Sequence, residues 1–454
     1  MNNELSTTLS KFDSITDWER SDRRDGLKVG LAPLRDLLEH LGNPQKSFRT
    51  VHVAGTKGKG SVAALVELGL AEAGIPVGRF SSPHVETITE RITFGGIPIR
   101  EQALSEVLER ALQARELAKQ RGTPGQSATR FDLETLGAIL AFADAGLEWA
   151  VIECGLGGRL DSTNTVDGEV AVLTNVDLEH TAILGATRSA IAYQKIGILK
   201  RGAALVTSVA QDSEAGCVIW PEAASLGCPV ILRPPPGPDL TIKESNAGLA
   251  SAVLDELGRR GVKVSRGENM VEAVTGLLLD EAVARRASLP GRMERLEISS
   301  ELVKGDGLGE PRRIPVILDG AHVPSSLEHV WRELGHATDL AGPCVAVVGF
   351  GRDKKVEDMF NILSGKVSLI VCTSAKGGPP AFSPEQLADL VTVAGIDAEI
   401  REDPVDALLR AAAVVAEQGW ILVTGSLHLV GAVRPFLISR LRLHAVRSPE
   451  TAVR

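Results

Sequence analysis

The run Val51-His52-Val53-Ala54-Gly55-Thr56-Lys57-Gly58-Lys59-Gly60-Ser61 places three glycines, two lysines and two hydroxyl side chains within its last seven positions. An apolar stretch, a glycine-rich turn and a helix start in that order suit phosphate binding. Glycines let backbone N–H groups approach an anion, and a helix N-terminus adds a favourable dipole. Lys59 would supply a point charge to β- and γ-phosphates, and Ser61 a hydroxyl for a divalent cation. The spacing departs from G-x-x-x-x-G-K-[ST]: two residues separate Gly55 from Gly58, and Gly60 stands between Lys59 and Ser61. On the residues alone, an ATP loop and a ligand-free glycine turn both remain open.

Four further residues could do chemistry. Ser82 and Glu153 offer a hydroxyl and a carboxylate, which suit a hard, oxygen-preferring ion such as Mg²⁺. Glu153 closes the apolar run Trp-Ala-Val-Ile-Glu, and ligands of open α/β sheets gather at the carboxyl ends of strands. His180 is less usual for Mg²⁺ and by itself reads as structural. Lys195 by itself reads as a solvated surface lysine.

Positioning such groups needs a sheet. Short apolar runs at 50–54, 76–80, 149–153, 170–174 and 203–207 read as buried strands. Amphipathic stretches at 61–73 and 101–120 lie between them. Buried strands alternating with helices predict a parallel sheet covered on both faces. The pattern restarts after residue 290, with strands expected at 314–319, 344–349, 369–373 and 420–424 and helices at 384–393 and 403–418. Leu289-Pro290-Gly291-Arg292 punctuates the two halves. The expected organisation is residues 1–289, a linker at 290–295, and residues 296–454, with a site in the cleft between two α/β domains. The proline-rich stretch at 233–238 reads as a connection, and the polar, glycine-bearing stretch at 304–313 as a hairpin or insertion.

Composition narrows the classes. The 454 residues predict two or three domains at roughly 150 residues each. A 44% apolar and 24% charged composition excludes intrinsic disorder. A net charge of -9 argues against a general nucleic-acid binder. No stretch approaches the roughly 18 consecutive apolar residues of a membrane span, and the first residues lack the layout of a secretory signal. Five scattered cysteines exclude a disulfide framework or zinc finger and suit a reducing cytoplasm. Most of them read as small core residues.

The departure in the phosphate loop is informative, because G-T-x-G-K-G-S resembles the ATP loop of the folylpolyglutamate synthase and dihydrofolate synthase family, within the Mur ligase superfamily. Further segments carry the resemblance in order along residues 30 to 431. They are Gly30-Leu31 with Leu37–Pro44, Ser81-Ser82-Pro83-His84 with Glu90-Arg91-Ile92, Thr129-Arg130-Phe131-Asp132, and Glu153–Asn164 with its G-L-G-G-R-L-D core. They continue through Asp177–Gly185, Lys195–Lys200, Asn246-Ala247, Pro290–Glu294, Asp319-Gly320-Ala321-His322 and Thr424–Gly431.

The resemblance implies an N-terminal P-loop NTPase-like Mur ligase central domain with a mostly parallel sheet. A smaller C-terminal Rossmann-like α/β domain would handle glutamate. It further implies ATP binding by Gly55, Thr56, Lys57, Gly58, Lys59, Gly60 and Ser61, with Asn246 at the adenine edge, Arg292 on a phosphate and Asp319 on the ribose. Ser82, Glu153 and His180 become metal ligands, and Lys195 a carbamylated lysine that ligates or orients a second Mg²⁺. Carbamylation needs an unprotonated amine, which desolvation favours. Gly30, Leu31, Thr129, Phe131 and Asp161 fall where the family contacts the pterin, and His322 and Ser426 become candidates for glutamate handling. The residue-level alternatives are a core aromatic for Phe131, a turn cap for Asp161, a bracing salt bridge for Arg292, and loop-shaping roles for His322 and Ser426.

The implied reaction transfers the γ-phosphate of ATP to a substrate carboxylate. The glutamate amine then attacks the acyl phosphate. Lys59, Lys195 and His322 are the expected catalytic residues, ATP and two Mg²⁺ ions the expected co-substrate and cofactors, and a cytoplasmic monomer without nucleic-acid or membrane partners the expected state. The family's D-L-G-L-E-R is Lys28–Pro33 here, the phenylalanine before E-R-I is Ile88, Gln194 replaces a Glu, and Val323 replaces the Asn of D-G-A-H-N-P. Competing readings are a Mur-type ligase with another acid acceptor, a non-catalytic nucleotide-binding protein, and a P-loop kinase that needs no amino acid.

Overall fold

A computed structural model describes residues 3–16, 30–233, 241–264, 272–302, 312–335, 337, 340, 342–376 and 380–447, with side chains described to residue 440. The expected connection at 233–238 and the insertion at 304–313 lie almost wholly outside these residues, as do Lys28 and Val29. The chain divides into two compact units, Met1–Ser288 and Leu289–Arg454.

The first unit is built on eight strands: β1 (Arg49–Ala54), β2 (Val77–Phe80), β3 (Ile92–Phe94), β4 (Ile97–Pro98), β5 (Trp149–Glu153), β6 (Gly168–Leu173), β7 (Ala204–Thr207) and β8 (Val230–Leu232). Their order across the sheet is β4-β3-β2-β5-β1-β6-β7-β8. Six strands are mutually parallel, and β3 and β4 add an antiparallel edge. β1 is buried from Thr50 to Ala54 and β5 along its whole length, because both faces of the sheet are covered. The helix Lys59–Glu72 follows β1 and buries every residue from Val62 to Leu70. This explains why it lacks a polar stripe. The helix Arg130–Asp144 starts on a capping box between Thr129 and Asp132.

The second unit carries β9 (Glu294–Ser299), β10 (Arg313–Leu318), β11 (Cys344–Val348), β12 (Val367–Cys372), β13 (Ala398–Ile400) and β14 (Trp420–Thr424). Their order is β13-β12-β11-β14-β10-β9, parallel except for β9 against β10. A core of Leu327, Phe350, Phe360, Leu387, Trp420 and neighbouring apolar residues covers one face. Residues 290–293 are tied into this unit: Gly291 N donates to Glu294 Oε2 at 2.9 Å, and Gly320 N donates to Gly291 O at 3.1 Å.

Most expected elements appear with small shifts. The helix expected at 403–418 stops at Val414. Arg312 accounts for the stop, since its guanidinium donates to the carbonyls of Val415, Ala416 and Glu417. The strand expected at 170–174 runs instead from Gly168 to Leu173, and Thr174 leaves the ladder to serve the phosphate loop. Four cysteines are buried, and Cys217 is exposed. Among the described residues no helix is long and apolar enough to cross a membrane.

Candidate active site

The phosphate loop leaves β1 at Ala54 and enters the helix at Lys59. Two glycines have conformations a side chain would strain: Gly55 has φ 150° and Gly58 has φ 79°. Space is short at both. A Cβ on Gly55 would lie 1.8 Å from Thr174 Oγ1, and one on Gly58 2.5 Å from Asn246 Oδ1. The loop is clamped to the exit of β6. Thr174 Oγ1 donates to Lys57 O at 2.6 Å, Lys57 N donates to Asn175 Oδ1 at 2.9 Å, and Asp177 N donates to Thr56 Oγ1 at 3.0 Å. None of these bonds uses the backbone N–H groups of Lys59, Gly60 or Ser61, which lie at the helix start where an anion would be held.

Strand register brings the other groups to the same carboxyl edge. Val53 pairs with Glu153, and Phe80 pairs with Ile152, two residues before Ser82. Ser82 N donates to Glu153 Oε2 at 3.4 Å, and Glu153 is 5% exposed. His180 sits with φ 52° at the start of the short helix Thr181–Leu184. Lys195, in the last turn of the helix Arg188–Ile196, is 5% exposed and donates from Nζ to Gly55 O at 2.8 Å. Burial lowers the Lys195 amine to about 7. The Lys59 charge adds to this, and Glu179 opposes it. Lys195 is therefore not a surface lysine but part of the phosphate-loop wall.

Glu179 was not singled out from the sequence. Its Oε1 lies 2.7 Å from Lys57 Nζ. Burial pushes its carboxyl up, but Lys57, His180 and Lys59 outweigh this and hold it at about 2. The signal available was a carboxylate immediately before His180. Thr174 and Asn175, at the mouth of β6, had no distinguishing pattern.

Three of the residues expected at the pterin are buried or hydrogen-bonded within the chain. Phe131 is 2% exposed, lies against Phe80 with ring centroids 5.9 Å apart, and would be 2.6 Å from a Cβ on Gly155. It packs as a core aromatic beneath the glycine loop after β5, not as an open stacking face. Asp161 is equally buried and spends its oxygens on the chain: Leu156 N donates at 2.7 Å, Thr163 N at 3.0 Å and Thr163 Oγ1 at 2.5 Å. It is a turn cap. The Thr129 hydroxyl is engaged with Asp132 in the capping box. Gly30 and Leu31 are half-buried, with Leu31 leading into the helix Ala32–His40.

In the second unit, residues around the ends of β10 and β14 come together. Asp319 accepts from Met293 N and Ala321 N, both at 2.9 Å, which braces the left-handed Met293 at φ 50°. The Arg292 guanidinium stands beside Gly320, 3.3 Å from where a Cβ would be. His322 Nδ1 is 2.8 Å from Gly320 O, so that nitrogen carries the proton. Ser426 Oγ accepts from His428 N at 3.1 Å and caps the helix Leu427–Arg447.

The donor set suits a hard divalent ion beside phosphates. Among the described residues no group of three or more His, Cys, Asp or Glu could cage a metal. Glu153, buried at the end of β5, is a hard oxygen donor, and Mg²⁺ usually takes only one or two carboxylates, with phosphate oxygens and water completing its coordination.

Comparison with known proteins follows the same lines. Residues 291–427 match the family described as Mur ligase, glutamate ligase domain. The dihydrofolate synthase/folylpolyglutamate synthase of Mycobacterium tuberculosis is 30% identical over 386 residues, covering 79% of this chain and 76% of that protein. A structure of E. coli FolC in complex with DHPP and ADP superposes with TM-score 0.75 at 26% identity, covering 96% of this chain and 98% of that one. A bifunctional folylpolyglutamate synthase/dihydrofolate synthase with Mn, AMPPNP and L-glutamate bound superposes with TM-score 0.73 at 27% identity, again over 96% and 98%.

Proposed function

The chain belongs to the dihydrofolate synthase/folylpolyglutamate synthase family, and from that premise we propose how its residues carry out ATP-dependent ligation of L-glutamate to dihydropteroate and to the γ-carboxyl of reduced folate. The observation that carries the reading is the convergence of Lys59, Glu153 and the buried Lys195 on one phosphate loop, with Lys195 Nζ 2.8 Å from Gly55 O.

The nucleotide phosphates bind the Gly55–Ser61 turn and the helix N-terminus. Lys59 follows the charge that moves to the γ-phosphate as it transfers to the acceptor carboxylate. Asn246, packed beside Gly58, is proposed for the adenine edge. Arg292 is proposed for phosphate and Asp319 for the ribose, with backbone amides on both Asp319 oxygens orienting the carboxylate. Ser82, Glu153 and His180 would hold Mg²⁺, which supplies charge neutralisation and orientation of the phosphates when bound. The Lys195 amine, lowered to about 7, is poised for carbamylation, and the carbamate would add a second anionic ligand at the loop wall. His322 and Ser426 are proposed for the incoming glutamate. The Nδ1 proton of His322 is committed to Gly320 O, which orients the ring.

The chemistry needs an activated carboxylate because glutamate's amine cannot displace hydroxide from a free acid. The acyl phosphate provides that leaving group. Gly30, Leu31, Thr129, Phe131 and Asp161 are proposed for the pterin, Phe131 and Asp161 shaping the site from the buried side. The test is ADP release measured with Mg²⁺-ATP. Turnover should require both a pteroate-type acid and L-glutamate. Equal turnover with neither would refute the ligase reading. A cytoplasmic monomer with only small-molecule substrates is the proposed state.

A further inference from the structure

Four consecutive side chains after β5 each fasten to a different part of the first unit. Asp161 holds Leu156 N, Ser162 Oγ donates to Asp132 Oδ1 at 2.6 Å, Thr163 Oγ1 lies 2.9 Å from His52 Nε2 on β1, and Asn164 reaches the end of the helix bearing Lys195. That helix end needs partners, because the last carbonyls of a helix have none of their own. Its cap residue Gly197 has φ −59° and does not turn into a left-handed cap. The segment after β5 supplies the donors instead. Arg159 N donates to Gln194 O at 2.6 Å, Arg159 Nε to Tyr193 O at 3.3 Å, and Asn164 Nδ2 to Gly197 O at 3.1 Å.

The Asn164 amide has one orientation. Lys200 Nζ donates to its Oδ1 at 2.7 Å, and an ammonium can only donate. The NH₂ therefore faces the carbonyls of Gly197 and Arg159, at 3.1 and 3.0 Å. The two backbones are pressed together at this point: a Cβ on Gly158 would lie 2.7 Å from Lys195 O, and one on Gly197 2.4 Å from Arg159 Cβ. A shift of this contact moves the turn from which Lys195 extends to Gly55 O.

We infer that Asn164 is a positioning residue for Lys195, its amide holding the cap residue two positions after it so that Lys195 Nζ meets the phosphate loop. The inference rests on the reading of Lys195 as a member of the catalytic site. Full-length Lys195→Ala, Asn164→Ala, Asn164→Asp and Ser162→Ala proteins separate the two. Ser162→Ala removes a bond of the same segment that does not lead to Lys195. Asn164→Ala is expected to lower kcat about 10- to 100-fold with the KM for ATP changed less than about 3-fold. Asn164→Asp should be at least as damaging, because a carboxylate oxygen would face two carbonyls. Ser162→Ala should keep kcat. Acylation of Lys195, mapped by mass spectrometry in the folded proteins, should quicken in the Asn164 variants alone. If Asn164→Ala does not fold, Lys200→Met carries the test, with kcat lowered and KM for ATP held. An active Lys195→Ala protein would remove the premise. An inactive Lys195→Ala protein beside Asn164→Ala and Asn164→Asp proteins of normal kcat would overturn the inference, as would an equal loss in Ser162→Ala.

Discussion

Lys195 gives the sharpest physical expectation. An ordinary lysine near 10.5 is neutral in only about 1 molecule in 3,000 at pH 7, whereas one at about 7 is neutral in about half. Burial beside Lys59 thus raises the free amine about a thousandfold, which is what carbamylation requires. The same shift links stability to pH. The folded-state value lies below the unfolded one, so between pH 7 and 10.5 the unfolded chain binds more protons and stability rises with pH. Below about pH 7 both states are protonated and the penalty is complete, at about 5 kcal/mol for a shift of this size. A Lys195→Met protein lacks that term. It should be more stable than the parent at pH 6 to 7 by an amount of this order, and the advantage should fade towards pH 10. The assay is urea denaturation of both proteins across pH without bicarbonate, paired with trace acetylation of Lys195 read by mass spectrometry. The acetylation midpoint should fall near 7 and move up in Lys59→Met, which removes the nearby charge. A midpoint above about 9, or a Lys195→Met protein no more stable than the parent at neutral pH, would refute the reasoning.

Other outcomes follow from the same site. Lys59→Met should lower kcat about 100- to 1,000-fold in a protein that still folds, since among the described residues Lys59 Nζ makes a single hydrogen-bonding contact, at 3.5 Å to Thr56 O. Gly58→Ala should weaken ADP binding measured by calorimetry, because its Cβ would stand 2.5 Å from Asn246 Oδ1 in a left-handed conformation. Chelation of divalent ions should stop turnover, and Glu153→Gln should raise the Mg²⁺ concentration needed for half-maximal rate. Away from the site, Arg79 and Glu67 form a buried pair, Nε to Oε2 at 2.9 Å. Arg79→Met should cost about 3–5 kcal/mol in denaturation, and Glu67→Leu/Arg79→Met much less than the two single changes together.

How much the sequence alone disclosed depends on how local each cause is. Most of the central strands of both sheets were readable because burial on two faces makes runs such as Trp149–Ile152 continuously apolar. The phosphate loop was readable because its glycines are adjacent in the chain to the lysine they serve. β3, β4, β8 and β13 are three residues or shorter and carry too little pattern. Lys195 could not be told from a surface lysine by its neighbours, since its burial comes from a loop 140 residues away. Phe131 and Asp161 have residue types suited to a flat heterocycle. Their burial under Gly155 and Leu156 is a tertiary fact that no spacing shows. The pairing of Lys57 with Glu179 is long-range in the same way.

The central claim is ligation of glutamate to a pteroate-type acid, and mass spectrometry of the products tests it most directly. The protein would be incubated with Mg²⁺-ATP and L-glutamate together with dihydropteroate, tetrahydrofolate or no acceptor. The account predicts one added glutamate on dihydropteroate and a ladder of additions on tetrahydrofolate, with nothing formed when the acceptor is left out. A folded, ATP-binding protein that adds glutamate to neither acid would contradict it.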